Sequence, residues 1–339
     1  MTGTEGSFFK NKLATMSVTP ILVYAVFCIL GLVEFKLWFQ VTYIWENISK
    51  TELTLTRILF DPAGVRFLLL LPFFKLGEWL GISYNWLFSI TVPLLIWLIT
   101  YFLSLSIQRL YGETSSQKRA IVFIGVSLFF ISISLFMNGR MIFAFAGSSI
   151  LTWSLLNWDN NRDKSNLLAV IAAIFLSCMS RGTLLVAITS FYFFLAVNIA
   201  IANPSIYRRR IFLVYATLLV VLMPYMFTMV LSLLDYFGGG IDAIGYMLSH
   251  GYGAIVLQPH FIIILVAICV LLAFGYAYRN FLYRNWILAS LMFFSLAGGM
   301  FGISTALTIL PPLLVAASVA MLEFAGWFEN RKSESILKR

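Results

Sequence analysis

Four arginines, Arg57, Arg66, Arg140 and Arg181, stand apart from the other basic residues of this chain. Most Lys and Arg residues fall in short clusters between apolar runs, as in Lys118–Arg119 and Arg208–Arg210. These four do not. Arg57 and Arg66 follow the first apolar run, Arg140 lies in the turn FMNGRMIF, and Arg181 lies in CMSRGTLL. A guanidinium is planar, permanently charged and matched to two phosphate oxygens at once. Beside hydrocarbon it costs up to about 2.5–3.5 kcal/mol, so something must offset it. A bound phosphate does so. Snorkelling to lipid headgroups, or pairing with a carboxylate, does so as well.

Chemistry at such a site also needs a base. Asp61 opens Asp-Pro-Ala-Gly-Val-Arg, in the same segment as Arg57 and Arg66. Nearby cations keep a carboxylate ionised and able to accept a hydroxyl proton. Asp before Pro is equally a helix N-cap. Both histidines, His250 and His260, sit in one stretch, DYFGGGIDAIGYMLSHGYGAIVLQPH. His250 can serve as a base near neutral pH. The stretch is rich in Gly and Tyr, so it can bend, and Tyr246 and Tyr252 can stack on sugar rings. Tyr84 could line the same site, or belong to an interfacial aromatic belt. The histidine spacing fits no usual metal motif, so no metal is expected. Cys28, Cys178 and Cys269 all lie in apolar stretches without paired spacing and read as small core residues.

The elements that must position these groups are apolar helices. The chain is 61% hydrophobic and 11% charged over 339 residues. Soluble chains are about 45–50% apolar and about 25% charged. The apolar runs approach the length of a helical span and lack the alternation of a barrel strand. The expected fold is all-α and polytopic, a single transmembrane domain with about ten spans. They fall at 17–40, 84–108, 119–137, 141–157, 165–180, 183–203, 211–233, 260–278, 286–303 and 306–325. The stretch Arg66–Leu80 is short and carries Pro72, Lys75 and Glu78, which predicts a re-entrant or interfacial helix.

With both termini in the cytoplasm, most basic residues fall on the inner side, as the positive-inside rule asks. The four arginines then fall on the outer side. The net charge of +9 is thereby accounted for without nucleic acid. No Gly-rich phosphate loop occurs, since Gly238–Gly240 leads into no GK[ST] motif. No cofactor is expected, and any work must be driven by an ion gradient or by energy stored in the substrate.

The stretch FFISISLFMNGRMIFAFAGSSILTWSLL, then WDNNRDK, then AVIAAIFLSCMSRGTLLVA resembles the Wzy/EpsG-type polysaccharide polymerases. The upstream DPAGVRFLLLLPFFKLGEWLG is similar to the acidic-Pro-Gly stretch after the first span of that family. The resemblance lies in pattern more than identity. It implies a GT-C-like membrane glycosyltransferase that extends glycans on undecaprenyl diphosphate at the periplasmic face of the bacterial inner membrane. Asn138 and Arg140 then take the place of the family's Asn/Arg turn, and Asp61 that of its acidic residue. Where the family often has His-x-Ser, this chain has Ser180-Arg181-Gly182, a departure that leaves the role of Arg181 open.

The expectation is thus a polymerase of undecaprenyl-diphosphate-linked oligosaccharide. Arg57, Arg66, Arg140, Arg181 and Asn138 hold the diphosphate, Arg140 also aids departure of the leaving group, and Asp61 or His250 is the base. Tyr84, Tyr246 and Tyr252 contact glycan. Expected partners are membrane lipids, a chain-length regulator and a flippase. Three alternatives stay open: an O-antigen ligase, an enzyme using a polyprenyl-phosphate sugar, and a transporter or flippase of a lipid-linked glycan. Transport needs polar groups within the membrane. Ser132, Ser134, Ser148, Ser149, Thr152 and Thr189 are candidates that read mostly as helix-compatible packing residues.

Overall fold

A computed structural model of the chain describes residues 64–111, 141–158, 163–201, 209–248 and 285–337, with short pieces at 22, 25–26, 30, 124–126 and 128–130. The described residues are helical, with no strand among them. Helix α1 is Arg66–Leu80, α2 Tyr84–Tyr111, α3 Met141–Leu156, α4 Asp163–Ser177, α5 Arg181–Ile201, α6 Arg209–Tyr236 and α7 Gly240–Leu248. Helix α8 is Trp286–Gly298, the short α9 is Ile303–Ala306, and α10 is Leu310–Leu337. Two stretches, Ile90–Tyr111 and Arg181–Asn198, are long and apolar enough to cross a membrane. Met141–Leu156, Ala216–Ser232 and Leu307–Glu323 are among the shorter apolar ones.

Seven of the expected spans have helices near their expected places: α2 to α6, α8 and α10. Those expected at 17–40, 119–137 and 260–278 lie wholly or largely outside the described residues. The expected span 286–303 is corrected: α8 stops at Gly298, and a 3-10 turn, Gly299–Phe301, follows. The expected span 306–325 opens as a 3-10 turn, Leu307–Ile309, before α10. Pro311 and Pro312 explain that turn. Neither has an N–H, so the carbonyls of Leu307 and Thr308 lose their α-helical donors. The Leu310 N–H bonds the Leu307 carbonyl instead, as a 3-10 turn requires. Ser148, at 2.9 Å, donates its hydroxyl to the Thr308 carbonyl from α3.

Helix α1 lies where Arg66–Leu80 was expected. Its first half is packed, with Phe67, Leu70 and Phe74 fully buried. Its second half is open, with Trp79 80% exposed. Gly81 ends it in the left-handed region at φ 65°, which a glycine tolerates without strain.

Long-range contacts group the ends of the helices. At one end the Tyr111 hydroxyl donates to the Leu322 carbonyl, and the Asn166 amide to the Asn157 carbonyl. Trp286 stacks on Phe194 towards that same end. At the other end the α4–α5 turn meets α9, and Val65, Cys178, Leu184, Phe237 and Phe301 share one apolar cluster.

Candidate functional site

The site is built on the turn from α4 to α5. Ser180 caps α5: its Oγ accepts the Thr183 N–H at 3.2 Å, and the Thr183 Oγ1 accepts the Ser180 N–H at 3.3 Å. This is a capping box with Thr in the place of Glu. Thr183 also donates its hydroxyl to the buried Ser177 carbonyl at 2.6 Å, satisfying a carbonyl at the end of α4 that has no helical donor. Two helix ends are thereby tied by one side chain.

Arg181 is the first residue of α5 in this frame. It is only 9% exposed. Its Nη1 donates to the Ser232 carbonyl of α6 over a long 3.4 Å. Two unfavourable terms act on it. Burial strips water from the guanidinium, and the positive end of the α5 dipole lies beside it. A helix N-terminus also favours an anion near it.

Close packing fixes the surroundings. A Cβ on Gly182 would collide with the Thr305 hydroxyl, and one on Gly298 would collide with Val186. A Cβ on Gly147 would lie 2.6 Å from Ser177 Oγ. Thr308 donates to the Thr305 carbonyl at 2.6 Å and lies 3.1 Å from Ser295 Oγ. Hydroxyls thus run from Ser148 through Thr308 to Ser295, with Thr305 beside Gly182. Of the serines and threonines read as packing residues, Ser149, Thr152 and Thr189 do bond carbonyls of their own helices. Ser148 does not: it ties α3 to the Leu307–Ile309 turn before α10. Ser132 and Ser134 lie outside the described residues.

The structure brings two of the expected arginines to one end. Arg66, half-buried, follows Val65, which packs with Cys178 and Leu184 on either side of the α4–α5 turn. Lys75 is remote in role: it pairs with Glu78 at 2.9 Å on the exposed part of α1. Arg57, Asp61, Asn138, Arg140, His250 and Tyr252 lie outside the described residues. Tyr84 opens α2. Tyr246 is on α7 and 65% exposed.

Helix α7 is the element the Gly-rich sequence did not announce. Gly238, Gly239 and Gly240 take φ values of 100°, 74° and 65°, conformations that favour glycine. They turn the chain from α6 into α7, which packs against α6 and the Gly299–Phe301 turn. No cluster of metal-ligating side chains occurs among the described residues. An open cavity of about 510 Å³ between α5 and α8 is lined by Phe193, Val197, Trp286 and Phe293 and contains no candidate residue.

No family model, curated protein or solved structure matches this chain.

Proposed function

We propose that the chain is a polytopic membrane protein that binds a lipid-linked diphosphate at the Arg181 end and joins oligosaccharide repeat units there. The observation that carries this reading is Arg181 itself: a guanidinium held almost wholly buried at a helix N-terminus. Such a group is stabilised by an oxyanion between its N–H fork and the helix end. Arg66, at the same end, is the second cation. Arg57, Arg140 and Asn138 join them by their expected outer positions.

In the proposed reaction an acceptor hydroxyl oxygen bonds to the anomeric carbon of the donor. The bond from that carbon to the diphosphate oxygen breaks, and the diphosphate leaves with the electron pair. The arginines stabilise its growing charge. The proton passes to Asp61 or His250. The leaving diphosphate carries the free energy, which fits a sequence without a nucleotide-binding loop. A ligase or a polyprenyl-phosphate-sugar enzyme would use the same groups. The membrane setting, at the periplasmic face of a bacterial inner membrane, accounts for exposed apolar side chains such as Val220, Met223 and Phe227 on α6.

One observation favours a second reading, transport of a lipid-linked anion. The chain between α8 and α10 is interrupted, and it is buried at Thr305 and Thr308. Irregular backbone within a membrane protein is a common feature of transport sites. Reconstitution in liposomes separates the readings. The purified protein, given undecaprenyl-diphosphate oligosaccharide, is expected to yield a ladder of polymer that the Arg140→Ala and Arg181→Ala proteins do not make. Movement of labelled lipid across the bilayer with no new glycosidic bond would replace the polymerase with the transporter.

A further inference from the structure

We infer that the outward face of α7, formed by Asp242, Gly245 and Tyr246, is a carbohydrate platform beside the Arg181 site. The inference rests on the proposed binding of a lipid-linked oligosaccharide and names where its sugar lies. Residues three and four apart share one face of a helix. Asp242, Gly245 and Tyr246 have that spacing, and all three are exposed while Ala243 between them is fully buried. The three offer complementary chemistry. The Tyr246 ring gives a flat apolar surface for the C–H face of a pyranose. The Asp242 carboxylate accepts hydrogen bonds from two hydroxyls. Gly245 has no side chain, and nothing lies within 4 Å of where its Cβ would be, so a ring can approach the helix.

Placement links this face to the anion site. Helix α7 packs against the Gly299–Phe301 turn, and Thr305, just beyond that turn, touches Gly182 beside Arg181. Ser232, whose carbonyl accepts a hydrogen bond from Arg181, lies on α6 shortly before the glycine turn into α7. A sugar attached to a diphosphate at Arg181 would therefore leave that site near α7. The left-handed glycines set the angle at which α7 meets α6. Asp242 also lies in the first turn of α7, where a carboxylate favours the helix dipole. That role concerns the helix alone and predicts no preference for sugar.

The test compares two probes on the full-length protein in nanodiscs: undecaprenyl diphosphate, and the same lipid carrying one N-acetylhexosamine. The intact protein is expected to bind the glycosylated lipid at least about fivefold more tightly. Tyr246→Ala and Gly245→Val remove that preference and leave binding of the bare carrier unchanged, Asp242→Asn reduces it, and Tyr246→Phe keeps it. Equal binding of both lipids by the intact protein, or a preference that survives Tyr246→Ala, overturns the platform while the anion site stands. An equal loss for both lipids in Tyr246→Ala overturns it too and makes α7 an interfacial anchor. Binding of neither lipid by the intact protein removes the proposed function, and the platform with it.

Discussion

Helices α5 and α6 are both long and apolar, yet they occupy their surroundings in opposite ways. On α5, Leu184, Ala187, Phe191 and Leu195 are buried, and its N-terminus is tied by Ser180 and Thr183. On α6, Val220, Val221, Met223 and Phe227 are each more than 60% exposed. Composition alone does not separate them, because hydrocarbon accepts the side chains that a protein core accepts. Polar detail does. The helix with the capped end, the glycine contact and the buried arginine is the interior one. The helix without a buried polar side chain among its described residues presents its apolar surface outward.

That contrast can be broken by mutation. The largest expected effect is at Leu195, which is fully buried on α5. Leu195→Ala should cost about 2–5 kcal/mol, because a cavity remains where the side chain was. Phe227→Ala on α6 should cost far less in detergent, and thermal unfolding of the pair measures the difference. Equal losses would mean that α6 is packed as tightly as α5. Next is a charge on the α6 surface: Val220→Arg should oppose membrane insertion by up to about 2.5–3.5 kcal/mol. A glycosylation-mapping assay of insertion reads it directly, and unchanged insertion would place α6 away from lipid. Gly182→Val should cost about 1–3 kcal/mol by overpacking against Thr305. Smallest is Ser148→Ala, which leaves the Thr308 carbonyl without the bond that offsets Pro312. A loss of about 0.6–2 kcal/mol is expected, and no change in unfolding would mean that another donor replaces Ser148.

Much of the fold was legible because span-length apolar runs admit few alternatives. The 84–108 run became α2, and the polar turn at Ser180-Arg181-Gly182 became the start of α5. Arg181 was legible as an outlier, since its place opposed the distribution of the other basic residues. Its burial was not, because that depends on α6 approaching from 51 positions along the chain. The sequence did not single out Gly182 or Gly298, whose closeness to Thr305 only the packing reveals. Helix α7 was hidden by its glycines, whose flexibility suits a bend as well as a helix start. The Thr308 carbonyl was hidden differently. Pro311-Pro312 announced a missing donor, while the replacement came from Ser148, 160 positions away.

The central claim is that Arg181 is buried in order to hold an anion. Its most direct test is the affinity of the purified protein for undecaprenyl diphosphate, measured in nanodiscs for the intact chain, Arg181→Lys and Arg181→Ala. The account predicts at least about a tenfold loss for Ala and an intermediate loss for Lys, which keeps the charge but not the planar fork. A well-folded Arg181→Ala protein that binds as tightly as the intact chain would contradict it.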